Sequence, residues 1–426
     1  MRQRIYPISV VLLFLAAIGA APGARADRPW QNLSDCGGMT YWDITQGMCE
    51  PLAMPPGMEA MPMKMAMLHG NVFGARIWEQ GPRGRDAWAS PSMVMGQLGT
   101  SVGHQYLSAD LMLTAEKWMF PDQGYPLLTQ IGEVNSQGAP FIDAQHPHSS
   151  PIMGLTFADT ISLGAQNDYL KLSFAPRGES TDGPVAFMHR ATGMVNPDAP
   201  LGHHIGQDVG HISSTVIAGA LRLGDTRYEI SGYHGSEPSP ESVDLPVGKP
   251  DSVSFRLIEQ LGAGWTAMAS AARVNAPEPG LPVAFETRYS ASAYWVRPLA
   301  DEWTFYDTFI YGTVTQFDHA DRLSSFAEEF LFQGDRPRIW GRLEALQRTP
   351  AELGIASANP DSGEWISELT LGYTHRLVSW QGAELGLGGS VTKDLLAGEF
   401  VGSYGGNPWT GKIFLQLAGM KMWGAE

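Results

Sequence analysis

The chain is predicted to be all-β: a transmembrane antiparallel β-barrel of about 16 strands, with short turns on the periplasmic rim and long loops on the opposite rim. Three observations predict this. Apolar and polar residues alternate with period two from about Leu68 to the end. The links between these stretches alternate between short and long. An export signal precedes them, and no later run approaches the roughly 18 apolar residues of a spanning helix.

The export signal comes first. Arg2 and Arg4 precede the apolar run "SVVLLFLAAIGAA", Ser9 to Ala21, which is short for a bilayer span. "ARA", Ala24 to Ala26, has the small-x-small pattern of a cleavage site, placed after Ala26. The organisation is then 1–26 signal peptide, 27–67 periplasmic segment and 68–426 barrel. The mature chain holds only Cys36 and Cys49, which most simply pair in an oxidising compartment. Beyond them, "MPPGMEAMPMKMAMLHG" carries Met54, Met58, Met61, Met63, Met65, Met67 and His69. Thioethers are soft donors that select Cu(I), so Met61, Met63, Met65, Met67 and His69 are candidate copper ligands. Methionine is also a flexible apolar filler, which suits a tether or plug at the periplasmic mouth.

The strands follow, starting near Leu68, Ser92, Gln105, Pro151, Asp168, His211, Arg227, Asp251, Trp265, Glu286, Trp303, Ser324, Pro337, Trp365, Ala383 and Trp409. In "TRYSASAYWV", Tyr289, Ala291, Ala293 and Trp295 share one face and Arg288, Ser290 and Ser292 the other. In "GKIFLQLAG", Ile413, Leu415 and Leu417 oppose Lys412 and Gln416. In "ISELTLGYTHR", Leu369, Leu371 and Tyr373 oppose Glu368, Thr370 and Thr374. An apolar face beside a charged and hydroxylated one suits lipid outside and water inside. The tight links "LGTSV", "GAQN", "LGDT" and "LGAG" are rich in turn residues. Between them lie links such as 116–150, 176–210, 235–250 and 392–408. An even strand count puts both chain ends on the short-turn rim. Trp423 stands near the end, where such barrels commonly finish on an aromatic residue.

The formal charge of −16 argues against a nucleic-acid partner. The expected partners are outer-membrane lipid and a metal ion, and the expected location is the cell outer membrane. No G-x-x-x-x-G-K-[ST] loop occurs, and no catalytic residue is assigned.

Seven of the 11 histidines fall between His146 and His234. By the strand assignment, "FIDAQHPHSSP" (Phe141 to Pro151) closes one long link. "GPVAFMHRATGMVNPDAPLGHHIGQDVGHI" (Gly183 to Ile212) lies in the next. His234 and Glu237 open a third. Asp143, His146, His148, His189, His203, His204, Asp208 and His211 therefore belong to one rim and can converge. Imidazole with carboxylate is a ligand set for Zn, Ni, Cu(II) or non-haem Fe. The same residue types build hydrogen-bonded latches that hold inward loops, or acid–base sites. The residues leave those three readings open, with His146, His148, His189, His203, His204, Asp208 and His211 as candidate metal ligands.

"GYPLLTQIGE", "FIDAQHPH", "GPVAFMHR", "NPDAPLGHHIGQDVGHI" and "GSEPSPE" resemble, in the same order, blocks of a family of uncharacterised bacterial outer-membrane β-barrel proteins. The family's blocks typically read Gln-His-Pro-His-Asp, Phe-Met-His-Arg-Pro and Ser-His-His-Trp-x-Asp-x-Thr-His-Ile. The resemblance runs from about His69 to the C-terminus, and a Met/His-rich lead-in like Met54 to His69 is common in the family. It implies the barrel fold but brings no established reaction. His146, His148, His189, His203, His204, Asp208 and His211 match. Ser149 departs from the usual Asp and Ile205 from the usual Trp, which removes one carboxylate from a metal or catalytic reading. The function expected is a conduit or binding protein linked to metal handling, with copper favoured. The alternatives are an enzyme acting on lipid or envelope material and a structural, plugged barrel.

Overall fold

The structure is a computed structural model that describes residues 40–45, 48–51 and 64–423, apart from 136–137, 149–150, 165–167, 241, 246, 278–283, 301 and 317–321. The signal peptide, Cys36, Ser149, Met61 and Met63 lie outside the described residues, and with them the expected disulfide and part of the expected methionine ligand set.

A hairpin comes first: β1 (Thr40–Asp43) and β2 (Met48–Pro51). The wall begins with β3 (Lys64–Glu79), β4 (Asp86–Ala89), β5 (Ser92–Val102) and β6 (Gln105–Leu113). A short helix α1 (Glu116–Met119) and a hairpin, β7 (Tyr125–Val134) and β8 (Pro140–Gln145), interrupt it. The wall resumes with β9 (Ile152–Ser162), β10 (Tyr169–Gly178), β11 (Ser213–Leu223), β12 (Thr226–His234) and β13 (Ser252–Gly262). Then come β14 (Trp265–Asn275), β15 (Phe285–Pro298), β16 (Thr304–Gln316), β17 (Arg322–Gln333) and β18 (Pro337–Arg348). β19 (Glu364–Trp380), β20 (Ala383–Leu395), the helix α2 (Phe400–Tyr404) and β21 (Trp409–Trp423) complete the chain.

The strands form a closed antiparallel ring in which β21 pairs with β3. β4 and β5 both pair with β3 and share one place in the wall, so the ring has 16 staves. The expected strand starts fall within a few residues of these, and the wall opens at Lys64 rather than Leu68. Short turns such as Gly103–His104, Gly224–Asp225 and Gln381–Gly382 lie on one rim, together with both ends of the wall. The long links lie on the other.

The two faces sort as the alternation requires. Ile413 and Leu415 are exposed, as are Tyr289 and Leu371, while Lys412, Gln416, Arg288, Ser290, Glu368 and Thr370 are buried inside. Leu417 points outward too, but Ala383, Leu68, Val94 and Trp380 cover it. Inside, hydroxyl pairs cross between strands: Ser231–Ser254 and Ser270–Ser290 at 2.9 Å, Thr370–Thr392 at 2.8 Å.

Two aromatic girdles frame the apolar band. Near the short-turn rim, Trp265 stacks on Trp295, which meets Phe305, which meets Phe332. Towards the long-loop rim, Tyr311, Phe326 and Trp365 are in contact. Phe305 and Tyr311 lie on the same face of β16, about 20 Å apart along the strand at ~3.3 Å per residue. A closed wall with an apolar outer band and girdles at both edges is an outer-membrane β-barrel.

The lumen is filled. Link 179–212 crosses it and is tied to walls far apart in sequence. Gly183 N–H donates to Ser270, Val185 N–H to the Tyr294 hydroxyl, and Leu201 N–H to Glu344. Arg190 pairs with Glu329 at 3.0 Å, and Lys412 pairs with Asp198. Arg342 donates to the Asp198 and Ala199 carbonyls. The β7–β8 hairpin packs beside it, with Tyr125 donating to Asp198 and Arg348 donating to the Thr129 carbonyl. The core therefore sits between these links and the inner wall, around Phe73, Tyr125, Leu128, Leu201, Trp340 and Phe414.

From the short-turn side the β1–β2 hairpin reaches into the barrel. Asp43 accepts from Arg227 at 2.9 Å, and Ile44 packs against Val185, Ile258, Met268 and Tyr294. Part of the expected periplasmic segment is thus inside the lumen, because a buried carboxylate needs the cation that β12 supplies.

Candidate metal centre

Three long links bring the site together. His146 and His148 follow β8 on either side of Pro147, with their rings 6.2 Å apart. His203, His204 and His211 come from link 179–212. A single wide turn at His203–Gln207 carries the first two, and it breaks at Ile205 and Gly206. Gly206 has φ +75° and lies against Gly312 of β16, where a Cβ would meet the Gly312 Cα at 2.7 Å. Only glycine permits both that backbone and that approach. Ser325 holds the same turn by donating to the Ile205 carbonyl at 2.6 Å. Glu237 comes from the link after β12, its N–H bonded to the Pro277 carbonyl.

The rings are close. His203 lies 4.4 Å from His211 and 4.6 Å from His204, centroid to centroid, and His148 lies 5.1 Å from His211. Glu237 stands among them: His146 Nε2 and His204 Nδ1 are each 3.9 Å from its carboxylate, and His211 Nε2 is 4.0 Å away. These separations are too long for hydrogen bonds. Two triplets, His146–His203–His204 and His203–His211–Glu237, hold ligand atoms within 4.8 Å of one another. Donors bound at ~2.0–2.1 Å to a tetrahedral ion stand about 3.3 Å apart, so an ion would draw these side chains slightly inward.

The hydrogen bonds are one-sided. His148 Nδ1 meets Glu116 Oε2 at 2.5 Å, while His203 Nδ1 lies 3.2 Å from Asp208 Oδ2 without the alignment of a hydrogen bond. His211 Nδ1 meets the Asp208 carbonyl at 2.7 Å, and His146 Nδ1 the Pro147 carbonyl at 3.3 Å. An acceptor opposite Nδ1 places the proton there and leaves a lone pair on Nε2. In His146, His148, His203 and His211 the buried Nε2 has no hydrogen-bond partner among the described residues. Each such orphan costs roughly 1–3 kcal/mol in a folded protein unless something binds it.

The electrostatics suit a cation. Burial, then the neighbouring imidazoles, push His146 and His204 well below the ordinary histidine value. Burial lowers His203, and lowers His211 to about 4. These rings are neutral at physiological pH, as ligation requires. His148 moves the other way: burial opposes its charge, but Glu116, Asp208 and Glu237 raise it above the ordinary value. Burial alone would raise Asp208, yet His203 beside it and the surrounding His211 and Arg190 hold it far below the carboxylate range.

The expected residues divide into three groups. His146, His148, His203, His204 and His211 stand together, with Asp208 behind them. His189 stands apart: its Nε2 is 2.8 Å from Glu179 and its ring is 6.5 Å from His69. Asp143 also stays out, pairing with Arg83 at 2.6 Å and accepting from Tyr404. His234 sits at the rim beside Asp251. Met65, Met67 and His69 alternate along β3 and face inward, all buried. Sequence reasoning did not assign Glu116, 32 residues before His148, and gave Glu237 no ligand role. "GSEPSPE" did signal Glu237, since it sits in a matching block on the same rim. Nothing local marks Glu116.

The class defined by fold and interior is an outer-membrane β-barrel whose lumen holds inward loops around a buried imidazole–carboxylate cluster. No protein-family model matches the chain, and no curated protein matches it. Among solved structures, the chain is similar to the anion-selective porin of Comamonas acidovorans, at 13% identity and TM-score 0.49, over 85% of this chain and 99% of that one. It is also similar to Salmonella typhi OmpF in complex with daunomycin, at 10% identity and TM-score 0.49, over 82% and 96%. Pseudomonas aeruginosa OpdK with vanillate gives 11% identity and TM-score 0.46, over 84% and 99%. At this level the likeness concerns the wall, and the cargo of those proteins says nothing about this one.

Proposed function

We propose that this barrel binds a transition-metal ion inside its lumen and serves as a metal-binding, gated conduit of the outer membrane. The observation that carries the reading is the shared arrangement of three buried histidines, His146, His148 and His211, with Nδ1 hydrogen-bonded to an acceptor and Nε2 left open, beside His203, His204 and Glu237. Metal-bound histidines have this arrangement, with the second nitrogen fixed by a carboxylate or carbonyl. Nitrogen and oxygen donors take Cu(II), Ni(II) or Zn(II), and among these the affinity order peaks at Cu(II). Copper is therefore the favoured ion.

The latch reading has less support. Arg190–Glu329, Lys412–Asp198 and the Glu344 contacts already tie link 179–212 to the wall. A latch would also use both nitrogens of its imidazoles. An enzyme acting on lipid would place its groups towards the outer face, whereas these are buried in the lumen.

The test is the metal content of detergent-purified protein after exposure to Cu(II), Ni(II) or Zn(II) and desalting. The wild type is expected to retain about one ion per chain, and a His146→Ala/His148→Ala variant much less, while still running as a heat-modifiable barrel. Equal retention in both, or none in the wild type, overturns the proposal.

A further inference from the structure

On β21, β3, β5, β6 and β9 the inner wall carries a patch of thioethers beside its polar residues Lys412, Gln416, Asn71 and Gln97. There Met67, Met93, Met95, Met112, Met153 and Met420 form one buried cluster, with Met188 and Met422 packed against it. The pairing register aligns part of it into a row. His69 on β3 stands opposite Met420 on β21 and opposite Met95 on β5, and Met95 stands opposite Met112 on β6. Directly opposed residues have Cβ atoms about 4.5–5.5 Å apart, within reach of a thioether from either side.

His69 sits in the middle of this row. It is 0% exposed, and neither ring nitrogen has a hydrogen-bond partner among the described residues. If the patch were only packing, a leucine would serve better at that position than a buried, unsatisfied imidazole. From the lumen side, the turn Phe187–His189 of link 179–212 closes over the patch. It contributes Met188 to the cluster and sets the His189 ring 6.5 Å from that of His69. Neutral thioethers with one imidazole form a soft donor set that prefers Cu(I) over the divalent ions favoured by nitrogen and carboxylate.

We propose that the His69 imidazole and the thioethers of Met95 and Met420 on either side of it, with Met112 next in the row, form a second site, for a soft monovalent cation such as Cu(I) or Ag(I). This site is distinct from the imidazole–Glu237 cluster and does not depend on it. Met93 and Met153 of the methionine cluster line a cavity of about 70 Å³ together with His148 and His203.

The probe is Ag(I), which has the same softness and charge without redox chemistry. Full-length protein in detergent is loaded with Ag(I), desalted, and its silver content and X-ray absorption measured. Methionine to leucine conserves volume, so M95L/M112L/M420L removes three sulfurs with little change in packing. The expected result is one silver equivalent fewer in this variant than in the wild type, with loss of sulfur scattering. His69→Gln is expected to weaken silver binding at least tenfold. His146→Ala/His148→Ala is expected to keep this silver equivalent while losing the divalent ion, so failure of one site is distinguishable from failure of the other. If the triple variant does not give a heat-modifiable barrel, M95L and His69→Gln alone decide the matter by the same loss. Undiminished silver in the folded variants means that the lead-in or the imidazole cluster holds it, and that overturns the proposal. So does a wild type that retains no silver.

Discussion

Asp208→Asn tests the proposed metal centre through a residue that need not touch the metal. Asp208 Oδ1 accepts the Phe187 N–H at 2.8 Å, and Oδ2 faces His203 Nδ1 at 3.2 Å. In the variant the amide oxygen keeps the bond to Phe187, and the NH2 group turns to His203. A donor opposite Nδ1 forces that nitrogen to accept, so the ring proton moves to Nε2 and the lone pair that faces the cluster is lost. Losing such an orienting partner typically lowers metal affinity 10–100-fold, or about 1.4–2.8 kcal/mol at 1.4 kcal/mol per tenfold. The fold should hold, because the backbone bond to Phe187 and the Asp208 carbonyl bond to His211 both survive the change. The assay is competition for Cu(II) against a chromophoric chelator, with heat-modifiability as the check on folding. An affinity within twofold of wild type would refute the reasoning, since His203 would then bind regardless of its tautomer or not at all.

Acidity should release the divalent ion later than free imidazoles would suggest. Burial holds His211 near 4 and His146, His203 and His204 below the ordinary value, so retention should persist below pH 6.5, where exposed histidines protonate, and fail towards pH 4. In the metal-free protein these rings bind fewer protons folded than unfolded, so stability falls as pH drops below about 6.5 towards about 4. His148, raised instead, contributes stability below about 6.5 that is lost as pH rises through its folded value. A pH series of retained metal showing half-loss at or above 6.5 counts against buried, neutral imidazoles. Arg190→Ala removes one of the two guanidiniums on Glu329, with Arg342 remaining at 3.2 Å, and frees link 179–212 from that wall contact; the cost should stay below the ~3–5 kcal/mol of stranding a buried charge outright. Faster proteolysis in that link and larger conductance in planar bilayers are expected with the barrel intact, and unchanged values would show that the link is held elsewhere. Gly312→Ala should act alike without touching a charge, since its Cβ would lie 2.2 Å from the Ile205 carbonyl oxygen; unaltered metal retention and protease resistance would contradict the close fit of the wide turn.

The sequence by itself determined the wall. Alternation is a local property: Arg288, Ser290 and Ser292 face the barrel interior because Tyr289 and Ala291 face outward, and each strand shows this within ten residues. The sorting of turns by length is equally local, and it placed the links of His146, His203 and Glu237 on one rim. What fills the ring was decided only in three dimensions. Arg190 is 139 residues from Glu329, and Lys412 is 214 from Asp198. No periodicity links such pairs, because inward loops are seated by single contacts to distant walls. For the same reason Glu116 could not be foreseen behind His148, nor the separation of His189 from the other histidines. The methionine row around His69 shows the division most clearly. Met95, Met112 and Met420 look like ordinary inward residues in their own strands. Only the register of β21, β3, β5 and β6, closed by the meeting of the first and last staves, sets them side by side.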